Sequence, residues 1–244
     1  MAIYETKPMP VRHEIKSQLA KLLATEDLVV EHKKVSTACF NVHTRVLTLP
    51  LWEKASNTVY DLLVGHEVGH ALFTPDEDWL DKVKVPPQFV NIVEDARIEK
   101  LMKRKYAGLA KTFYNGYKEL NEEDFFQIAD DDISTFNLAD RTNLYFKIGA
   151  FHQIAFNDTE DEFISRICSA ETFTDVLEIS QDLVAYAKKK KEEQQSSSSG
   201  DNKENSSSSS QSAPSPTDDG TQGETENSNQ EDHNGRSDDS TVES

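Results

Sequence analysis

Gly65-His66-Glu67-Val68-Gly69-His70 sets two histidines one helical turn apart, with a glutamate directly after the first. Residues i and i+4 share a helix face, so His66 and His70 can present imidazole nitrogens to one metal ion. Glu67 lies beside that face, placed to meet a metal-bound water rather than the metal. Such a water has its pKa lowered towards ~7, and a carboxylate can take its proton to give hydroxide near neutrality. The chemistry this spacing serves is metal-assisted hydrolysis. Zinc, Zn(2+), suits the ligand types, and it needs a third protein ligand and an open fourth position.

Three acids compete for the third place. Glu94 lies on the next expected helix, within Asn91-Ile92-Val93-Glu94-Asp95-Ala96-Arg97-Ile98-Glu99. Charged residues among Ile92, Val93, Ala96 and Ile98 are costly to bury unless paired or bound to a metal. Asp95 is turned by about 100° from Glu94, so only one of the two readily faces the ion. Asp76 sits ten residues after His66. That is the offset used by metzincin-like proteins, but Phe73 stands where their sharp turn has Gly. We take Glu94 as the ligand, on a face shared with Asn91 and Ile98, and keep Asp95, Asn91 and Asp76 as alternative or supporting residues.

These side chains need elements to hold them. Val11, Ile15, Leu19, Leu22 and Leu23 recur at helical spacing, which predicts a helix over 10–24. Short strands are expected at 28–30, 38–42 and 46–49, the last two joined as a hairpin through His43-Thr44-Arg45 and stopped at Pro50. Asn57-Thr58 offers an N-cap for the helix that carries the motif, from Val59 to Phe73 before Pro75. A second helix is expected over 88–106. Helical periods follow at 117–129, 137–156, 160–169 and 172–192. The class is therefore α+β.

Composition divides the chain. It has 244 residues and a formal net charge of −18. Residues 195–244 hold 11 acids against Lys203 and Arg236, and no aromatic residue, with Ser runs at 196–199 and 206–210. Such a segment cannot bury enough apolar surface to offset its conformational entropy. We expect a domain over 1–192 and a disordered acidic tail or linker over 193–244. No apolar run reaches the ~18–20 residues of a membrane span, and the N-terminus lacks a signal-peptide pattern. Cys39 and Cys168 make no disulfide framework, which fits a reducing cytoplasm. The acidic balance argues against a nucleic-acid partner. Lys188 to Lys191 read as a solvated helix end.

The two motifs together resemble a minimal gluzincin metallopeptidase. Gly65 through Leu72 with Asn91 through Glu99 are more specifically similar to the peptidase-like region of cobalt-chelatase T-type proteins, and to phage proteins of the same layout. The resemblance implies a zincin-like domain, a peptide or protein substrate, and a host cytoplasm if the chain is phage-encoded. It also implies a strand that pairs with an extended substrate, for which Val46, Leu47, Thr48 and Leu49 are the candidates. Family members continue through an acidic linker into a von Willebrand A domain, so the tail here could carry a protein partner. An oxyanion stabiliser is expected near the metal, and Tyr106, Tyr114, Tyr117 and His152 remain open. His13, His32 and His43 read as surface residues.

Two functions follow as expectations. One is zinc-dependent peptide-bond hydrolysis, with His66, His70 and Glu94 on the metal and Glu67 as the base. The other is a non-catalytic, chelatase-like assembly subunit that uses the same fold as a scaffold. Because the tail has nothing to pack, deleting 195–244 should leave the melting temperature and the metal content of the protein unchanged. Thermal unfolding and metal analysis of the shortened chain check this.

Overall fold

The structure, a computed structural model, describes residues 11–80 and 83–197. Helix α1 spans His13–Ala24, and strands β1, β2 and β3 are Val29–Lys33, Cys39–Asn41 and Val46–Pro50. Six helices follow: α2 at Asn57–Phe73, α3 at Pro87–Lys105, α4 at Leu109–Glu122, α5 at Leu138–Ile148, α6 at Asp158–Ser169 and α7 at Phe173–Ser197. The expected α+β class is what the chain adopts. From residue 198 onward the expected acidic tail lies outside the described residues, and α7 runs past the expected boundary at 192. No described helix is long and apolar enough to cross a membrane.

Local chemistry sets the ends of the helices that matter. The Ser56 hydroxyl caps α2, accepting from the backbone of Thr58 and Val59 at 3.1 and 3.2 Å, and donates to Glu119 at 2.7 Å. This satisfies orphan N–H groups at the start of the motif helix. Pro87 opens α3, where its missing N–H costs nothing. Gly149 closes α5 eight residues before the end that its periodicity predicts. The α4 stripe of Phe113, Tyr117 and Leu120 begins earlier than expected, and the chain from Glu123 to Ala129 forms turns instead of helix.

The sheet departs from expectation in one respect that bears on function. Its order is β1-β3-β2, with β3 parallel to β1 and antiparallel to β2. The β2–β3 hairpin forms as read, its turn held by Asn41 Oδ1, which accepts from the backbone of His43 and Thr44 at 3.0 and 2.8 Å. But Val46, Leu47, Thr48 and Leu49 lie on the central strand, the first three paired on both sides and Leu49 with β1. With β1 on one side and β2 on the other, Val46, Leu47 and Thr48 offer no open edge to a substrate strand. The outer strand on the hairpin side is β2.

Helix α3 lies between two apolar clusters. Leu47, Leu49, Leu62, Leu63, Phe113 and Leu120 mark the first, which joins the sheet to α1, α2 and α4. Val90, Val93, Ile167, Val176 and Leu183 mark the second, beneath α6 and α7. On α1 the buried positions are Lys16, Ala20 and Ala24, whereas Ile15 and Leu22 are exposed. The small alanines and the Lys16–Asp61 ion pair at 2.6 Å turn that helix away from its expected face.

Close packing relies on glycine at two places. A Cβ on Gly69 would lie 3.1 Å from both Ile98 Cδ1 and Met102 Cγ, and one on Gly116 would lie 2.8 Å from Leu62 Cβ. Gly116→Ala should therefore destabilise the fold by ~1–3 kcal/mol, overpacking outweighing the helix-propensity gain. Gly108→Ala, which meets nothing within 4 Å, should be neutral or gain up to ~1 kcal/mol. Urea unfolding of the two variants checks the contrast.

Candidate metal centre

His66 and His70 project from one face of α2 towards α3, as the i and i+4 spacing predicts. What meets them is Asp95. Its Oδ1 lies 3.4 Å from Nε2 of His66 and 3.4 Å from Nε2 of His70. Around a tetrahedral ion with bonds of ~2.0–2.1 Å, donor atoms lie about 3.3–3.4 Å apart. His66, His70 and Asp95 form the one group of three or more potential ligands that converges among the described residues. The three could hold a metal ion.

The α3 face that reaches α2 reads Asp95, Ile98, Glu99 and Met102, spaced i, i+3, i+4 and i+7. Ile98 and Met102 sit against Gly69, and this close approach brings Asp95 to the imidazoles. Glu94 is not beside the histidines. It points to the flank, where both its oxygens accept from Arg97 at 2.7 Å and Oε1 also accepts from the Thr74 hydroxyl at 2.6 Å. Asn91 is half-buried, one turn before Asp95. Asp76 pairs with His43 in the hairpin turn, so it is turned away as well. The correction has a physical cause: α3 is packed on two sides, so the apolar stripe used to orient it is not its only buried face.

The remaining imidazole nitrogens are also occupied. His66 Nδ1 lies 3.0 Å from Glu99 Oε1, and His70 Nδ1 lies 2.9 Å from Thr74 Oγ1. The Thr74 hydroxyl spends its proton on Glu94, so its oxygen accepts from His70. Both rings are thus engaged at Nδ1 and turn Nε2 towards Asp95, the orientation that a metal would require. Glu99 in turn accepts from the Tyr117 hydroxyl and from Lys103 at 3.0 Å. Asp95 Oδ2 accepts from Lys147 Nζ on α5 at 2.7 Å. Glu67 is 1% exposed, next to His66.

Burial sharpens the electrostatics. Burial alone pushes the His66 imidazole down, but Asp95 and Glu99 outweigh it and raise its pKa to about 9. Burial opposes ionisation of Glu99, yet Lys103 and His66 bring it to about 2. Asp95 is held well below the usual carboxylate range, where Lys147 and His66 overcome its desolvation. Tyr117 is raised well above its ordinary value by burial and by the Glu99 charge, and so stays a donor.

Access comes from one side. The His66 side chain is 1% exposed and that of His70 is 12% exposed. Beside His70 a groove of about 510 Å³ runs between the 74–80 loop and the open sheet face formed by Glu31, Thr48 and Cys39. Arg45 donates to Ala71 O at 2.8 Å and ties the hairpin to α2.

Several expected residues fall elsewhere. Tyr106 donates to Leu23 O at 2.6 Å, Tyr114 meets Phe151 with the rings tilted by 55°, and His152 meets Asn121 at 2.7 Å. Of the four candidates for an oxyanion stabiliser, Tyr117 alone joins the site, through Glu99. His13 and His32 are half-buried, packed edge to face with each other, and His13 likewise meets Tyr60. Glu99, Thr74, Arg97 and Lys147 join the site without belonging to the motif. Glu99 had a signal, since it follows Asp95 by one helical turn, and Lys147 is a lone charge in Leu144-Tyr145-Phe146-Lys147-Ile148. No family model, curated protein or solved structure matches the chain.

Metal-free protein should show the His66 shift as a pH-dependent stability. The folded imidazole pKa is raised from 6.5 to about 9, so the contribution is complete below pH 6.5 and disappears as pH rises through about 9. Unfolding free energy should fall across that window by on the order of 3 kcal/mol. Glu99→Gln should reduce the slope. Urea titrations of chelator-treated protein at several pH values check both.

Proposed function

We propose that this chain is a zinc-dependent peptide hydrolase with a zincin-like domain, in which His66, His70 and Asp95 hold the metal and Glu67 is the general base. The observation that carries the reading is the pair of 3.4 Å separations from Asp95 Oδ1 to the two Nε2 atoms, with each Nδ1 already engaged. The donor set fits a divalent ion. The buried carboxylates Asp95 and Glu99 beside His66 make surroundings suited to a cation. Two imidazoles and one carboxylate oxygen, the oxygen at tetrahedral spacing from each nitrogen, favour zinc among such ions. When bound, zinc supplies Lewis-acid polarisation of the scissile carbonyl and lowers the pKa of a water towards ~7.

The chain's own residues do the rest. Glu67 takes the proton of the attacking water and returns it to the leaving amine. Glu99 and the Thr74–Glu94 pair fix the two imidazoles. The outer strand β2, beside α2 and the groove, offers its edge to an extended peptide in place of the central β3. A non-catalytic assembly subunit would need the ligands and their supports but no general base. A buried carboxylate outside the converging donors therefore favours hydrolysis.

Purified protein should carry about one zinc per chain. Asp95→Ala should abolish that loading, whereas Glu94→Ala should weaken affinity by about 10–100-fold by freeing Thr74 and His70. Glu67→Gln should keep zinc and fold while losing turnover by about 10²-fold or more. Metal analysis and a peptide-library cleavage assay on these variants test the proposal. Zinc-loaded wild type that cleaves nothing would move the assignment to the assembly subunit.

A further inference from the structure

Among the described residues, Lys147 is the one buried lysine that touches the converging donors from a helix that contributes none of them. Its side chain is 2% exposed, that of Asp95 is 8% exposed, and Nζ stands 2.7 Å from Oδ2. The other oxygen of the same carboxylate, Oδ1, is the atom equidistant from His66 and His70. The carboxylate is thus divided between two tasks. One oxygen faces the place where a metal would sit, and the other faces an ammonium.

We propose that Lys147 is a positioning residue that keeps Asp95 a one-oxygen ligand, so that a coordination position stays open for water. This rests on the metal reading above. Two imidazoles and one carboxylate oxygen make three protein donors and leave a tetrahedral ion its fourth place. If Oδ2 also turned to the ion, the protein would supply four donors and the site would resemble a closed structural one. That turn would remove the carboxylate from a buried ammonium, and breaking a buried ion pair on one side is strongly unfavourable. Lysine suits the task better than arginine. Its ammonium is a point donor that engages one oxygen, whereas a planar guanidinium fork matches both and would draw Oδ1 away from the ion. On this view α5 contributes no ligand but sets the denticity of one.

The test uses the full chain loaded with cobalt(II) in place of zinc, with azide as the probe of the open position. Wild type should give the visible spectrum of a four-coordinate cobalt site and should bind azide with a clear spectral change. Lys147→Met should retain cobalt, shift to the weaker bands of a higher coordination number, and bind azide at least about tenfold more weakly. X-ray absorption of its zinc form should show one additional oxygen neighbour. Lys147→Gln, whose amide ends one bond short of Nζ, should change in the same direction and carries the test if the methionine variant does not fold. Lys147→Arg should instead lose metal affinity, a response in the opposite sense that a merely structural role does not produce. A Lys147→Met protein with the wild-type spectrum and azide affinity overturns the assignment. Wild type that takes up no cobalt overturns the metal reading itself, so the two failures are distinguishable.

Discussion

Everything around this centre follows from burying the Asp95 carboxylate between two imidazoles at the α2–α3 contact. An ionised carboxylate removed from water is stable only if charge and hydrogen bonds are returned to it. Gly69 permits the approach, since any larger residue would meet Ile98 and Met102. Once α3 is that close, Asp95 and Glu99 are both inside, and each demands a cation. Lys147 arrives from α5 and Lys103 from α3 itself, while Tyr117 on α4 supplies a neutral donor. Helices that would otherwise be plain packing layers are recruited to balance charge.

The second layer links the centre to the rest of the chain. Arg97 pairs with Glu94 and also donates to Phe73 O at 2.8 Å and to Glu171 O at 3.1 Å. One guanidinium therefore joins the end of α2, the face of α3 and the start of α7. Thr74, directly after α2, passes that order to His70. A bidentate arginine on a carboxylate is among the more directional contacts a protein can make. Here it fixes the angle at which the motif helix ends. The α6–α7 half of the fold reaches the centre through this contact.

The sequence made the α2 side of the site legible and the α3 side only partly so. His66, Glu67 and His70 needed nothing beyond helical spacing, because α2 is buried nearly all round and its geometry is local. Choosing between Glu94 and Asp95 required the rotation of α3. That rotation is set by two apolar clusters on opposite sides, one of them built from residues some seventy to ninety positions later. A single-stripe argument cannot see the second cluster. The hairpin was readable from its turn residues, but the parallel pairing of β1 with β3 was not, because it is non-local. It is this pairing that makes β3 central and leaves β2 at the edge. Lys147 lies 52 residues from its partner, and only the fold brings them together.

The use of a carboxylate where a third imidazole could have stood has a consequence for how metal and fold are coupled. Three histidines would leave the inner shell neutral without an ion. Asp95, with Glu99 near it, makes the shell negative, and these two carboxylates raise the His66 pKa to about 9 against the effect of burial. The proton so held occupies the nitrogen that faces Asp95 Oδ1, the lone pair a metal would take. On the proposed reading, proton and metal would be alternative counter-charges for the same buried carboxylates. Ligand protonation normally weakens metal binding, but here it also preserves the geometry, since the protonated ring keeps Nε2 turned to Oδ1. The two helices keep this arrangement through protein contacts alone, so on the proposed reading an ion would displace a proton without having to order them.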